Sequence, residues 1–310
     1  MTEPHATANT PQRKLRWFQF RLRTLLVITA LVALACGALG LNWQRNTFEK
    51  RLRDKLGSLP PFHVYWDDVP LWSARPRHVA FHDPWSASKR IGRIKGSLND
   101  EQLARVQPLL GSVEYLDLGH TQVTDLGLKH VGQMTGLTHL ELCDTAISDV
   151  GMKHVSGLTE LKILGLNGTG ISGAGIEHLS KLTKLKALSL GRTRANDSGL
   201  AHLRNLSSIE TLLLWHTDVT DSGLAHLVRL PRLTSLWLSS TQISDAGMKH
   251  LAGLTQLEFL SLRSTKVTDS GLEHLSNLAG LENLCLRGTQ VTDTGVKKLE
   301  QALPNCRISR

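Results

Sequence analysis

The sequence predicts an α/β solenoid built from stacked strand–helix units and preceded by one transmembrane helix. A 24-residue pattern returns eight times without a gap over residues 113–304. Each copy has apolar residues at positions 1, 4 and 6, and again at positions 16, 19 and 22. Before the repeats, residues 25–41 form an apolar run without a charged side chain. A fixed period of this length is typical of repeat architectures, so the period itself predicts the fold.

The N-terminus carries the predicted membrane segment. Residues 1–23 form a basic tail, and residues 24–43 are predicted to be a transmembrane helix or signal anchor. As a helix, the 17 uncharged residues of 25–41 would span about 26 Å. That length approaches the roughly 30 Å hydrocarbon core of a bilayer. A cleaved signal peptide stays open as an alternative, because residues 33–35 read Ala-Leu-Ala, a signal-peptidase pattern.

The charge distribution argues against a nucleic-acid partner. The chain has a formal net charge of +9, but residues 1–60 carry +7 of it. Residues 113–310 are neutral, with nineteen Lys/Arg against nineteen Asp/Glu. A nucleic-acid-binding domain carries its positive charge on the folded part, so none is expected here. The basic residues before the apolar run are less diluted by acids than those after it. This predicts a single-pass protein with a cytoplasmic N-terminus and the repeats outside.

Each repeat is predicted to hold a short strand followed by a short helix. We number the repeats 1 to 8 from residue 113. The L-x-x-L-x-L opening alternates as a half-buried strand does, and the second half has helical apolar spacing. Between them lie a threonine whose hydroxyl can satisfy buried backbone groups, and a polar pair, such as Thr220-Asp221, able to cap a helix. Neither half buries its apolar face alone, so the units stack. The threonines at position 9 are Thr121, Thr145, Thr169, Thr193, Thr217, Thr241, Thr265 and Thr289.

One stretch, HTDVTDSGLAHL at residues 216–227, contains the residue types of a nucleophilic hydrolase. The same pattern returns every 24 residues, and seven copies of a catalytic base are implausible. We therefore predict a structural histidine column and no catalytic residue. A secondary hypothesis is that the stacked imidazoles respond to acid pH. The column at position 18 comprises His130, His154, His178, His202, His226, His250 and His274.

The consensus LxxLxLxxTxVTDxGLxHL resembles the leucine-rich repeat family. Its (I/V)(S/T)DxGL segment is most similar to a subtype found in F-box adaptors and many bacterial proteins. The N-terminal RWFQFRLRTLLV and the apolar run after it resemble membrane-anchored bacterial members. The resemblance implies a leucine-rich-repeat solenoid that binds protein partners, with a curved parallel sheet on the concave face and short helices on the convex face. No F-box-like segment precedes the repeats, and the cysteine of the eukaryotic subtype is missing, which disfavours an adaptor role.

The segments beside the repeats are predicted to be linkers and caps. Residues 44–89 would form a charged linker and an aromatic stalk or cap, and residues 60–88 within it could alternatively be a separate binding element. Residues 90–112 are predicted to be an N-terminal capping half-repeat, of which the helical part is visible in the sequence. Residues 305–310 form a C-terminal cap whose two arginines discourage pairing with another chain.

The sequence predicts neither a metal site nor a cofactor. Cys36, Cys143, Cys285 and Cys306 are scattered, without CxxC or Cys/His ligand spacing. Residues 60–88 show no nucleophile, base and orienting group at a recognisable spacing. An enzyme is therefore disfavoured.

Partner binding is predicted at strand positions 3, 5 and 7, which point out of the concave sheet. Trp215 and Trp237 lie there on neighbouring strands, diagonal on one face and roughly 7–8 Å apart. Aromatics rimmed by arginine are typical of protein-binding hot spots. Asp117, Glu141 and Asp144 at the acidic end would orient a protein partner. The alternative is a structural envelope or assembly protein without a dedicated ligand. The predicted binding surface comprises Leu213, Trp215, Trp237, Phe259, Arg263 and Arg287.

Overall fold

The computed structural model describes part of the chain, namely the backbone of His63–Tyr65 and Ile91–Lys95, residues 98–110 and residues 113–310. The predicted basic tail (1–23), the predicted transmembrane helix (24–43) and all of the predicted linker and stalk (44–89) except His63–Tyr65 lie outside the described residues. Within the described part, no helix combines the length and the apolar character needed to cross a bilayer.

Eleven short strands form one sheet in chain order. They are β1 (His63–Tyr65), β2 (Ile91–Lys95), β3 (Tyr115–Asp117), β4 (His139–Glu141), β5 (Ile163–Gly165), β6 (Ala187–Ser189), β7 (Thr211–Leu213), β8 (Ser235–Trp237), β9 (Phe259–Ser261), β10 (Asn283–Cys285) and β11 (Arg307–Ser309). β1 pairs antiparallel with β2, and every later neighbouring pair is parallel. The parallel register is 24 residues, as in the pair Leu212 and Leu236, so equivalent positions of successive repeats stand side by side.

Nine α-helices lie in the described residues. They are α1 (Asp100–Val106), α2 (Asp125–Val131), α3 (Asp149–Val155), α4 (Gly173–Glu177), α5 (Asp197–Ala201), α6 (Asp221–Leu227), α7 (Asp245–Leu251), α8 (Asp269–Leu272) and α9 (Asp293–Ala302). Short 3₁₀ helices at Gln107–Leu109, His202–Asn205 and Glu273–Leu275 follow α1, α5 and α8. The strand–helix alternation agrees with the sequence prediction for each of the eight repeats.

The two ends are more regular than the sequence predicts. The N-terminal cap was expected from its helix, which is α1, but β2 adds a parallel strand in the same 24-residue register. β11 does the same at the C-terminal end, where Arg307 pairs with Asn283. The sequence IGRIK of β2 lacks the leucine pattern that marks the other strands, so the pattern could not reveal it.

Each helix begins at a polar residue with extended backbone geometry. Thr220, the residue before α6, accepts the N–H of Ser222 on its hydroxyl, and equivalent bonds precede the other helices. Such a cap contributes about 1 kcal/mol, because it satisfies one of the backbone N–H groups that a helix leaves unpaired. The capping residue is therefore the first member of the predicted polar pair, and the aspartate that follows has another partner.

The strand leaves the sheet through a left-handed turn at position 8 of every repeat. The φ angle there lies between +53° and +75°. In this conformation the N–H of position 8 donates to the position 7 carbonyl of the next repeat, as from Ser240 to Arg263 at 2.7 Å. Six of the eight residues have a side chain and adopt a geometry that costs about 1–2 kcal/mol each. The positions are His120, Asp144, Gly168, Arg192, His216, Ser240, Ser264 and Gly288.

The core lies between the sheet and the helices. Leu212, Leu214 and Leu224 of repeat 5 are fully buried, and their equivalents are buried throughout the repeats. The position 9 threonines border this core. All eight hydroxyls donate to the carbonyl three residues earlier at 2.6–2.7 Å, and seven of the eight residues are buried. These bonds offset the cost of burying a hydroxyl.

Candidate functional site

The aspartates at position 13 join neighbouring repeats. The Oδ1 atom of Asp221 accepts the N–H of Ser244 at 2.8 Å, and Oδ2 accepts the Ser244 hydroxyl at 2.5 Å. A side chain on Gly247 would place its Cβ 2.3 Å from Asp221 Oδ1. The carboxylate of the preceding unit thus explains the glycine at position 15 in seven of the eight repeats, whereas Gly199 of repeat 4 instead lies close to the Cα of Gly173. Of the pair predicted to cap a helix, Thr220 does so, whereas the oxygens of Asp221 bond to the capping residue of the next repeat.

The hydrolase-like residues of repeat 5 do not form a catalytic group. Asp221 makes the joint just described, while Ser222 and His226 are both exposed. Within the described residues, no hydrogen bond or ion pair links His226 to Asp221 or Ser222, and no cluster of His, Cys, Asp and Glu has metal-site geometry. This arrangement provides neither a base for the serine nor a group to orient that base.

The thiols of Cys143 and Cys306 are not activated nucleophiles. Burial, together with the neighbouring Glu141 carboxylate, raises the pKa of the Cys143 thiol to about 12. Burial raises the pKa of the Cys306 thiol to about 11. Because the thiolate is the reactive form, both groups are poor nucleophiles near neutral pH.

The histidine column lies at the helix side of the repeats. His226 and His250 are exposed, and the other five members are partly exposed. Within the described residues, none of these rings pairs with another ring of the column. Partial burial and the positive charges of Lys153 and Lys129 lower the pKa of His154. The lowered pKa of His154 therefore arises from burial and from lysines of the helices rather than from stacked imidazoles.

Trp237 and Phe259 form an aromatic stack on the face of the sheet that points away from the helices. We call this face the outer face. Their ring centroids are 4.5 Å apart with an interplanar angle of 25°. The Trp237 Nε1–H donates to the Ser235 hydroxyl at 3.2 Å, which fixes the indole further. Leu213 stands beside Trp237 in the strand register. All three apolar side chains are half-buried, so each presents part of its surface to solvent.

The Trp215 indole turns away from this stack, toward repeat 4. A Cβ on Gly191 would lie 2.2 Å from the indole ring, so Trp215 covers the backbone of a glycine. Gly191 is itself held by repeat 3, because its N–H donates to Asn167 Oδ1 at 2.7 Å. The indole also meets His216 edge-on, with ring centroids 5.7 Å apart. The two predicted tryptophans therefore contact different repeats.

An open cleft of about 590 Å³ lies beside Trp215, along the left-handed turns of repeats 3 to 5. Gly168 and Gly170 of repeat 3 leave it without side chains on one side, and Arg192 and Arg194 of repeat 4 line it on the other. These two arginines are not among the site residues predicted from the sequence. The signal that could have found them is in repeat 3, which has glycine at positions 5, 8 and 10.

The remaining predicted site residues lie at the two ends of the outer face. Arg263 and Arg287 are exposed at position 7 of repeats 7 and 8. At the other end, the Asp144 carboxylate lies 3.6 Å from His120 Nδ1 and 3.5 Å from Arg192 Nη1. Asp117 and Glu141 face each other in the register of neighbouring strands. The weak surface ion pair between Asp144 and Arg192 thus links the acidic end to the cleft.

Comparison with known proteins supports the repeat assignment. A family model described as a leucine rich repeat matches residues 112–131 and 230–252. No curated protein matches the chain. Among solved structures, the crystal structure of an internalin C2 from Listeria monocytogenes str. 4b F2365 is similar, with a TM-score of 0.53 and 24% sequence identity. The similarity covers 66% of this chain and 83% of that chain, and at this identity it establishes the fold alone.

Proposed function

The chain belongs to the leucine-rich-repeat proteins, and from this premise we propose that it is a non-catalytic module that binds a protein partner through the outer face of its sheet. The observation that carries the proposal is the stack of Trp237 on Phe259 at 4.5 Å. Stacked rings are immobilised before binding, so a partner that covers them loses little additional side-chain entropy. Partly exposed aromatics with an apolar neighbour, here Leu213, are the residue types that dominate binding energy at protein interfaces.

The non-catalytic part of the proposal is supported by how the reactive residue types are used. Asp221 is committed to the inter-repeat joint, and the thiols of Cys143 and Cys306 have raised pKa values. We also propose that residues 24–43 anchor the chain in a membrane with the repeats on the outer side. The support for this part is the uncharged run in the sequence. Protease treatment of intact cells, which would digest the repeats only if they lie outside, tests the orientation.

The test of the outer face is photo-crosslinking in the native host with the full-length chain. A photoreactive amino acid at Thr211, which stands beside Ser235 in the strand register, would trap a bound protein. The Trp237→Ala, Phe259→Ala variant is expected to lose the crosslinked product. Val228→Ala is the matched control, because it removes an exposed apolar side chain from the helix side. A crosslinked product that survives the double substitution, or no product in the unsubstituted chain, would favour a structural role without a dedicated ligand.

A further inference from the structure

The cleft beside Trp215 lies along the left-handed turns that follow the strands. It differs from the turns of the other repeats because repeat 3 lacks side chains there. At position 10, where repeat 3 has Gly170, the other seven repeats have Gln122, Ala146, Arg194, Asp218, Gln242, Lys266 and Gln290. At position 8, where repeat 3 has Gly168, only repeat 8 also has glycine. A Cβ on Gly170 would lie 3.1 Å from the nearest heavy atom, so the backbone does not strictly require glycine. The missing side chains open a trough along the turns.

The side of the trough formed by repeat 4 is positively charged. Arg192 and Arg194 are both exposed and both line the cleft. Arg192 shares its charge with Asp144 at 3.5 Å, and within the described residues no ion pair involves Arg194. The charge is local, because repeats 3 and 4 hold seven Lys/Arg against two Asp/Glu, whereas residues 113–310 are neutral. Guanidinium groups are planar donors that match the geometry of a carboxylate.

Trp215 forms the third side of the cleft. Its indole lies on the Gly191 backbone, and His216 meets the indole edge-on. An aromatic surface next to two guanidinium groups suits a ligand whose acidic group is carried on an extended, partly apolar stem. The side chain of a glutamate or aspartate in a polypeptide has this composition. A free inorganic anion would use the arginines but leave the indole uncovered.

From these observations we propose that the cleft formed by Gly168, Gly170, Arg192, Arg194 and Trp215 binds an acidic peptide segment of a protein partner. The inference rests on the proposed binding function and names the chemistry of one contact. A carboxylate of the segment accepts hydrogen bonds from the two guanidinium groups, and its aliphatic stem lies against the indole. The peptide backbone occupies the trough left open by the two glycines. The aromatic stack of Trp237 and Phe259 is a separate contact on the outer face.

The experiment measures fluorescence anisotropy of a labelled hexaglutamate peptide with the full-length chain in detergent. Saturable binding is expected, and a hexaglutamine peptide is expected not to bind. Arg192→Gln with Arg194→Gln should weaken the peptide affinity about tenfold or more, since charge-assisted hydrogen bonds are lost. Arg229→Gln with Arg232→Gln is the matched control, because both arginines are exposed and the net charge changes equally. Equal weakening by the two pairs would overturn the proposal in favour of non-specific attraction.

A second variant tests the contribution of the trough without changing the charge. Gly170→Gln introduces a side chain that three other repeats carry at position 10 and leaves the net charge unchanged. It should weaken the peptide affinity several-fold, whereas Ala146→Gln, which introduces the same side chain at position 10 of repeat 2, should not. An unaltered affinity in Gly170→Gln would refute binding in the trough. Competition by inorganic phosphate as effective as that by unlabelled peptide would also overturn the peptide assignment. Trp237→Ala should leave peptide binding intact, so failure here is distinguishable from failure of the outer-face test.

Discussion

Removing the carboxylate of Asp221 tests whether the repeats are held together by the joints at position 13. In Asp221→Ala, the N–H and the hydroxyl of Ser244 lose acceptors at 2.8 and 2.5 Å. A hydrogen bond to a charged group contributes about 1.5–3 kcal/mol when buried. Both residues of this joint are only half-buried, so we take about 1 kcal/mol for each bond and expect a loss of about 2 kcal/mol. For a domain of this size, this lowers the melting temperature by about 4–8 °C.

The assay is urea unfolding followed by circular dichroism, together with amide hydrogen exchange at Ser244. Asp218→Ala is the matched control, because Asp218 lies three residues away, is exposed, and makes no side-chain hydrogen bond or ion pair within the described residues. It removes the same charge and should change stability by less than about 0.5 kcal/mol. If the two variants lose equal stability, or if exchange at Ser244 is not faster in Asp221→Ala, the joint does not have the role assigned to it.

Three further predictions concern the same backbone features. Gly173→Asp with Asn196→Thr should create the joint that repeats 3 and 4 lack and stabilise the chain by about 1–2 kcal/mol in urea unfolding. Gly173→Asp alone should destabilise the chain, because the new Cβ would lie 2.4 Å from Asn196 Oδ1. A double variant with unchanged stability would contradict the proposed joint. Ser240→Gly, at φ +57°, should stabilise the chain by about 0.5–1 kcal/mol, and a loss of stability would show that the left-handed turn is not strained. Hydrogen bonds from Thr292 lower the pKa of Asp269, so its contribution to stability is present above the ordinary aspartate pKa and is lost as the pH falls through the lowered value. The protection factor of the Thr292 amide, which compares its exchange rate with that of an unstructured amide at the same pH, should therefore fall on acidification, and it should be low and independent of this titration in Asp269→Asn.

The repeat period was sufficient to predict the strands, the helices and the buried threonines of residues 113–304. These features depend on local patterns that each repeat displays by itself, such as the leucines flanking Thr217. The aspartate joints depend on a contact between repeats, and a single repeat cannot show it. One signal was present: repeat 3 has Gly173 in place of aspartate, and the next repeat has Asn196 where the others have serine or threonine. That pair indicates that the two positions are in contact.

The candidate site was only partly predictable for a related reason. Alternation along a strand predicts which side chains leave the outer face, and it selected Trp215, Trp237 and Phe259. It does not predict where a long side chain turns. Trp215 covers Gly191 because that glycine offers no competing side chain, whereas Trp237 meets Phe259 on the following repeat. The direction of each indole depends on residues 22 to 24 positions away in the sequence.

The missing joint between repeats 3 and 4 has a mechanical consequence. At Gly173 no carboxylate reaches the next capping residue, and Asn196 instead bonds within its own repeat to Gly199 at 3.1 Å. The bonds from Ser189 and Gly191 to Asn167 hold the strand side of this seam, but its helix side lacks the two carboxylate bonds of the seams on either side. Under tension along the solenoid, separation of the helix side should therefore begin there. The same seam divides Gly170 from Arg194 across the cleft. A segment seated between them would bear part of the load and would raise the force at which the two halves separate.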